Sequence, residues 1–314
     1  MSRGLHHVTA IASDAQSNVD FYTGCLGLRL VKVTVNFDAP DTYHLYYGDE
    51  LGRPGTLLTF FVWPSARQGR KGLGQASVVS LAIPPTSIQY WMERLAEHGL
   101  RYEGPIQRFG SQLLTFFDHD DLQIELVAHP GSDKGPSWSG GVVPGEYGIR
   151  GLRGATQLVA EAEAEAAFLT HTLGFRLQAE GANHRLRYVS DDEAGSVLDL
   201  LVLPGLPAGG LGVGTIHHVA WRAADDADQA ERRRTLLAEG HGVTPVVDRV
   251  YFQSIYFRTP GGVLFEIATD GPGFTVDEPA SELGTHLELP SWLEPRRRLL
   301  ERSLPALSHI GGRR

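Results

Sequence analysis

The segment Gly4-Leu5-His6-His7-Val8-Thr9 returns as Gly151-Leu152-Arg153-Gly154-Ala155-Thr156, so residue 4 maps to residue 151 at an offset of 147. The same gapless offset carries Phe21, Thr23, Leu26, Gly27, Arg29 and Leu30 onto Phe168, Thr170, Leu173, Gly174, Arg176 and Leu177. A repeat of this length constrains the fold more than any single motif, because each copy is one supersecondary unit that must bury its apolar face against another. Looser echoes link the second and fourth quarters. Ala96-Glu97-His98-Gly99 parallels Ala238-Glu239-Gly240, and Leu122-Gln123-Ile124-Glu125 parallels Val263-Leu264-Phe265-Glu266. The chain therefore reads as four modules, near 4–63, 75–129, 151–204 and 214–270.

Each module has the same coarse order. A β-branched or apolar run such as Val78-Val79-Ser80-Leu81-Ala82-Ile83 predicts a strand. A helix follows; in module two Ile88, Trp91, Met92 and Leu95 recur at helical spacing and predict one buried stripe. Gly27, Gly99, Gly174 and Gly240 stand where those helices should stop. Further apolar runs, such as Leu113–Phe117 and Ile124–Val127, complete a βαβββ unit and make the chain α+β. Stretches rich in Gly, Pro and Ser at 64–74, 130–150 and 205–214 read as linkers. The expected organisation is 1–129 for modules one and two, 130–150 as linker, 151–270 for modules three and four, and 271–314 as a polar C-terminal tail with one helix at Glu294–Ser303.

Composition narrows the function classes. With 28 basic against 37 acidic residues the net charge of −9 argues against a nucleic-acid footprint. One cysteine, Cys25, excludes an intrachain disulfide and a Cys-based zinc site. No window approaches the ~20 apolar residues of a membrane helix, and Met1-Ser2-Arg3-Gly4 runs straight into a strand with no leader, so a cytoplasmic protein acting on a small molecule is expected.

The repeat then selects among thirteen histidines. His7 lies in the first strand of module one and His218 in that of module four, while Gly154 takes the place in module three and module two has no histidine from Gly72 to Glu97. Glu266 lies in the last strand of module four, where residues 261–271 contain no Lys or Arg. Burying an unpaired carboxylate costs several kcal/mol, so Glu266 demands a cation. Modules two and three offer only Glu125 and Asp199 at such positions. Two imidazoles and one carboxylate on rigid strands, with the remaining positions open, are the facial triad of non-heme Fe(II) oxygenases. The same donors admit Mn(II).

Here a resemblance becomes specific. The four modules look like the vicinal oxygen chelate superfamily of glyoxalases and extradiol dioxygenases. Gly4–Thr9, Asn18-Val19-Asp20-Phe21-Tyr22, Tyr43-His44-Leu45-Tyr46-Tyr47 and His217-His218-Val219-Ala220 resemble its hydroquinone-type ring-cleaving dioxygenases, as do Asp277-Glu278-Pro279, Leu283-Gly284 and Leu289-Pro290 in the tail. The resemblance implies two open barrels, modules one and four holding the metal and two and three metal-free. It implies iron ligands at His7, His218 and Glu266, and substrate or supporting roles for His6, Thr9, His217, Arg249 and Tyr256. Strand alternation points His6 and His217 away from the ligands that follow them, unless a bulge turns them in.

The function so implied is an Fe(II)-dependent dioxygenase opening the ring of a 1,4-diol with O2, with no nucleic-acid or membrane partner and with a homo-oligomer left open. An extradiol catechol dioxygenase and a Zn or Ni lyase of glyoxalase type are the alternatives. The lyase is disfavoured because Leu57-Leu58-Thr59-Phe60-Phe61 offers no second carboxylate. Asp118-His119-Asp120-Asp121 mimics a metal cluster but is read as a solvated turn, and Gly210-Leu211-Gly212-Val213-Gly214 lacks the strand-before, helix-after context of a dinucleotide loop.

Overall fold

The computed structural model describes residues 4–135, 137–190 and 195–308. Met1, Ser2 and Arg3, on which the expectation about a leader partly rests, and the end of the tail lie outside the described residues. Module one supplies β1 (Leu5–Ala12), β2 (Arg29–Asn36), β3 (Ala39–Gly48) and β4 (Leu57–Val62). Module two supplies β5 (Gln75–Ile83), β6 (Tyr102–Arg108), β7 (Ser111–Phe117) and β8 (Gln123–Ala128), and module three β9 (Leu152–Val159), β10 (Arg176–Gly181), β11 (Arg185–Val189) and β12 (Val197–Val202). Module four adds β13 (Ile216–Ala223), β14 (Val247–Asp248), β15 (Phe252–Arg258) and β16 (Leu264–Pro272).

These strands form two open, curled eight-stranded sheets, ordered β14-β15-β16-β13-β1-β4-β3-β2 and β10-β11-β12-β9-β5-β8-β7-β6. The first sheet thus joins modules one and four through antiparallel β1 and β13, and the second joins two and three through antiparallel β5 and β9. Within every module the first strand runs parallel to the last. A parallel pair needs a crossover, and the helix after each first strand begins it: α1 (Ala15–Val19), α2 (Ile88–Glu97), α3 (Glu163–Ala167) and α4 (Asp226–Ala238). The stripe expected on α2 is buried at Ile88, Trp91 and Leu95, with Met92 half-buried. Gly27, Gly99, Gly174 and Gly240 all adopt φ between 68° and 84°, the left-handed stop that a side chain disfavours. All eight residues of β1 are buried, since it lies mid-sheet with helices behind it and the concave face before it.

Two expectations are corrected. The tail is not merely polar: Leu283, Leu287, Leu289, Leu293, Leu300, Leu304 and Leu307 are all buried. Its one helix, α5 (Arg297–Ser303), follows a 3-10 turn at Glu294–Arg296. Glu288 donates its backbone N–H to the Val33 carbonyl beside β2. The fully buried Lys32 ammonium on β2 ties the tail down, at 2.6 Å from Asp277 Oδ1 and in contact with Glu278 Oε2. The acidic turn is only half solvated: His119 and Asp121 are exposed. Asp118 and Asp120 are 5% and 6% exposed. Asp118 accepts from the Tyr22 hydroxyl and from the Asp120 and Leu122 backbone N–H groups, while Asp120 accepts from Ser13. The turn's two buried carboxylates staple module one to module two. Among the described residues no helix is long and apolar enough to cross a membrane.

Candidate metal centre

Register fixes which residues share the concave face. Thr9 of β1 faces Thr59 of β4, and Ala220 of β13 faces Glu266 of β16. His7 and His218 each precede those first-strand residues by two, so alternation puts both imidazoles on the same concave face. Glu266 and Thr59 are then pseudo-symmetric mates. In the second sheet Ser80 faces Glu125 and Thr156 faces Asp199, which leaves Val78 and Gly154 where the first sheet has His218 and His7. A Cβ on Gly154 would stand 2.5 Å from the Val197 carbonyl oxygen, so a histidine does not fit there without displacing β12. The carboxylates of that sheet are already served. Glu125 meets Arg108 at 2.7 Å and accepts from Ser80, and Asp199 takes Arg187 through two N–H groups.

In the first sheet, among the described residues, no guanidinium or ammonium pairs with Glu266. Its Oε1 accepts from the Ser254 hydroxyl, and its Oε2 lies 3.0 Å from His218 Nε2 and 3.4 Å from His7 Nε2 but has no hydrogen-bond donor. His7 Nε2 and His218 Nε2 are themselves 3.1 Å apart. All three residues are at most 4% exposed. Burial alone would favour the neutral acid, but the two imidazoles outweigh it and hold the Glu266 carboxyl well below the usual range. Burial pushes the His218 imidazole down, against the pull of Glu266.

The preceding histidine sets the His7 tautomer. A register shift between Leu5 and His7 turns His6 back onto its neighbour, so that His6 Nδ1 lies 2.9 Å from His7 Nδ1 and His6 Nε2 lies 3.1 Å from the Thr269 carbonyl. A carbonyl only accepts, so His6 carries its proton on Nε2 and receives the His7 proton at Nδ1. His7 Nε2 is left as a bare lone pair. His217 and His218 repeat the Nδ1–Nδ1 contact at 2.8 Å. Burial, reinforced by the neighbouring histidine, pushes His6 and His217 each down to about 3, so both are neutral at pH 7.

Three ligand atoms thus converge on one buried point, with the His7 Nε2 lone pair and the undonated Glu266 Oε2 facing each other where a cation would sit. Donors about 2.1 Å from a metal and at right angles about it stand about 3.0 Å apart, close to the spacing found. The residues present therefore fit a divalent metal. Among the described residues these are the His, Cys, Asp and Glu side chains whose ligand atoms gather within 4.8 Å of one another.

A cavity of about 320 Å³ opens on this triad, lined among others by Phe37, His44, Phe61, Trp63, Phe252 and Tyr256, a volume suited to a small organic molecule. Tyr256 pairs with Glu266 in register, and its hydroxyl receives an N–H from Arg249, whose other arm binds Asp38 at 3.0 Å. Burial and the nearby Glu266 carboxylate raise the Tyr256 phenol. Thr9 hydrogen-bonds Thr59 at 2.8 Å beneath the cavity.

All eight residues singled out in the sequence therefore lie in or directly against the site. Sequence reasoning missed Ser254, Asp38, Phe61, Trp63 and, above all, His44 and Tyr46. The last two sit two residues apart on β3, facing the cavity. Alternation along Tyr43-His44-Leu45-Tyr46 carried that signal.

The chain matches the sequence pattern of the Glyoxalase/Bleomycin resistance protein/Dioxygenase superfamily over residues 4–126 and 152–267. It is 46% identical over 302 residues to MhqO of Bacillus subtilis, a protein named as a ring-cleaving dioxygenase, covering 96% of this chain and 95% of that one. It is 36% identical over 302 residues to a chlorohydroquinone/hydroquinone 1,2-dioxygenase of Sphingobium indicum, covering 93% and 92%. A crystal structure described as a dioxygenase from Bacillus subtilis superposes with a TM-score of 0.94 at 44% identity, covering 98% of each chain.

Proposed function

The chain belongs to the Glyoxalase/Bleomycin resistance protein/Dioxygenase superfamily, and we propose that it is a metal-dependent ring-cleaving dioxygenase, with Fe(II) as the metal and a hydroquinone-type 1,4-diol and O2 as the substrates. The observation that supports this most is the triad of buried His and Glu side chains opening on an aromatic-walled cavity. The full-length likeness to the hydroquinone 1,2-dioxygenase adds the substrate class.

In this reading His7, His218 and Glu266 hold the metal. When bound, Fe(II), or Mn(II) in its place, supplies Lewis acidity toward a phenol oxygen and a path for electrons between the ring and O2. The chain's own residues do the rest. His6 keeps the His7 imidazole in the Nδ1–H tautomer, with the Thr269 carbonyl as the fixed end of the relay, and His217 holds the His218 ring by an Nδ1–Nδ1 contact. Phe61, Trp63 and Phe252 form apolar walls that keep bulk water from the ring. The Tyr256 hydroxyl accepts from Arg249 and lies within hydrogen-bonding reach of Ser254, which places it as a donor beside the triad. Asp38 holds the Arg249 guanidinium in place for that contact. Thr9 and Thr59 support the floor.

A glyoxalase-type lyase needs a second acid–base carboxylate across from Glu266. Thr59 occupies that position, with its hydroxyl bonded to Thr9 and His44.

Loading the protein with Fe(II) under nitrogen and then adding hydroquinone and O2 tests the proposal. One O2 consumed per ring, with a ring-opened acid as product, is the expected result. No O2 uptake with any hydroquinone or catechol would overturn it.

A further inference from the structure

The cavity carries a second polar centre on β3, which in strand order lies on the other side of the triad's strands from β15. On β3 the Tyr46 hydroxyl lies 2.9 Å from His44 Nδ1, and His44 Nε2 lies 2.9 Å from the Thr59 hydroxyl, which continues at 2.8 Å to Thr9. Both His44 and Tyr46 line the cavity. Burial holds His44 well below its usual range, so the ring is neutral with one N–H. The four groups then carry four protons across three hydrogen bonds. One proton is always left over at an end. With it at Tyr46 that hydroxyl donates into the cavity, and with it at Thr9 the Tyr46 oxygen offers a lone pair instead. Such a chain can match either role of a ligand hydroxyl.

Strand order separates this pair from Arg249 and Tyr256, although both of the latter lie near enough to act on the Tyr46 phenol across the cavity. Tyr256 is the register partner of Glu266 and serves the triad end. His44 and Tyr46 lie two strands from β1, beyond β4, or about 10 Å at the usual strand spacing. Phe61 bridges the gap, its ring 6.3 Å from His218 and 4.4 Å from His44. An aromatic ring lying over Phe61 with one end at the triad presents its far end to His44 and Tyr46.

Resting on the dioxygenase reading above, we infer that the His44–Tyr46 pair anchors the far hydroxyl of a 1,4-diol, the one that cannot reach the metal. The pair thereby selects diols with para-disposed oxygens over simple phenols. A catechol, whose two oxygens both sit at one end, would leave it unused.

The test compares hydroquinone with 4-methylphenol, which keep one phenol for the triad and differ only at the far end. Binding to the metal-loaded protein under nitrogen is followed by quenching of tryptophan fluorescence, so no turnover enters. The wild type should bind hydroquinone about tenfold more tightly than 4-methylphenol, the scale of one well-placed hydrogen bond. Tyr46→Phe, which keeps the ring packed on Phe274, should bring the two affinities within about twofold by weakening hydroquinone alone. His44→Gln should narrow the gap in the same direction, and it decides the matter should Tyr46→Phe not fold. Equal affinities in the wild type, or a variant that weakens both ligands equally, would overturn the anchor. Failure of the protein to oxidise hydroquinone would instead remove the dioxygenase reading without touching this affinity difference.

Discussion

His7 Nε2 and His218 Nε2 face each other at 3.1 Å although 211 residues separate them in the chain. The antiparallel pairing of β1 with β13 brings them together, and the Glu266 carboxylate closes the triangle. In the protein without its metal, Glu266 Oε2 has no hydrogen-bond donor and the His7 Nε2 lone pair faces it. Glu266→Gln would replace that oxygen with an N–H donor able to serve the His7 lone pair, while the retained carbonyl oxygen still accepts from Ser254. The metal-free Glu266→Gln protein should therefore be more stable than the metal-free wild type, by about 1–2 kcal/mol for a relieved buried acceptor, and it should lose metal binding. Thermal unfolding in chelator checks this; a lowered Tm would count against this arrangement.

The His6 relay makes a separate prediction. His6→Phe keeps a ring beside Phe252 but removes the acceptor that holds the His7 proton on Nδ1. Loss of such an outer partner typically costs 10–100-fold in metal affinity. Competition with a chromophoric chelator should show a loss of that order, with unfolding cooperativity retained. Unchanged affinity would mean that the His7 tautomer is set elsewhere.

The sequence carried the triad because the repeat marked it: His7 against Gly154, and Glu266 in a strand without a cation. It carried the modules and the helix stops for the same reason. It did not carry the partners of Asp118 and Asp120, since Tyr22 and Ser13 lie 96 and 107 residues away, and an acidic turn looks alike whether buried or solvated. Nor did it reveal that the tail is core. The leucines from Leu283 to Leu307 follow no single period, because they pack from an irregular segment whose docking is decided by Lys32 on a distant strand.

That docking is testable. Lys32→Met leaves the Asp277 and Glu278 carboxylates without their cation in a largely buried site, and breaking a buried pair in this way costs about 3–5 kcal/mol. Denaturant unfolding should show a loss of that size. Limited trypsin digestion should cut in Arg296-Arg297-Arg298 far faster than in the wild type. Equal cutting rates would show that the leucines hold the tail unaided.

His44 gives a pH dependence with a definite sign. Its folded-state pKa is pushed well below 6.5 by burial first, so below pH 6.5 the unfolded chain takes up a proton that the folded chain refuses. Its effect on stability is absent above pH 6.5, and stability falls as pH drops below that value, by about 1.4 kcal/mol per pH unit for the one proton. In the metal-free protein, His44→Phe should flatten the slope between pH 6 and 5 by that amount in denaturant titrations. Parallel slopes would show that His44 is protonated in the folded state.

The most direct test of the metal centre is an anaerobic Fe(II) titration of the metal-free protein beside His7→Ala and Glu266→Ala. One equivalent per chain for the wild type, with at least 100-fold weaker binding in both variants, is the predicted result. Tight one-to-one binding that survives either substitution, or no binding by the wild type, would contradict the assignment of His7, His218 and Glu266 as the ligands.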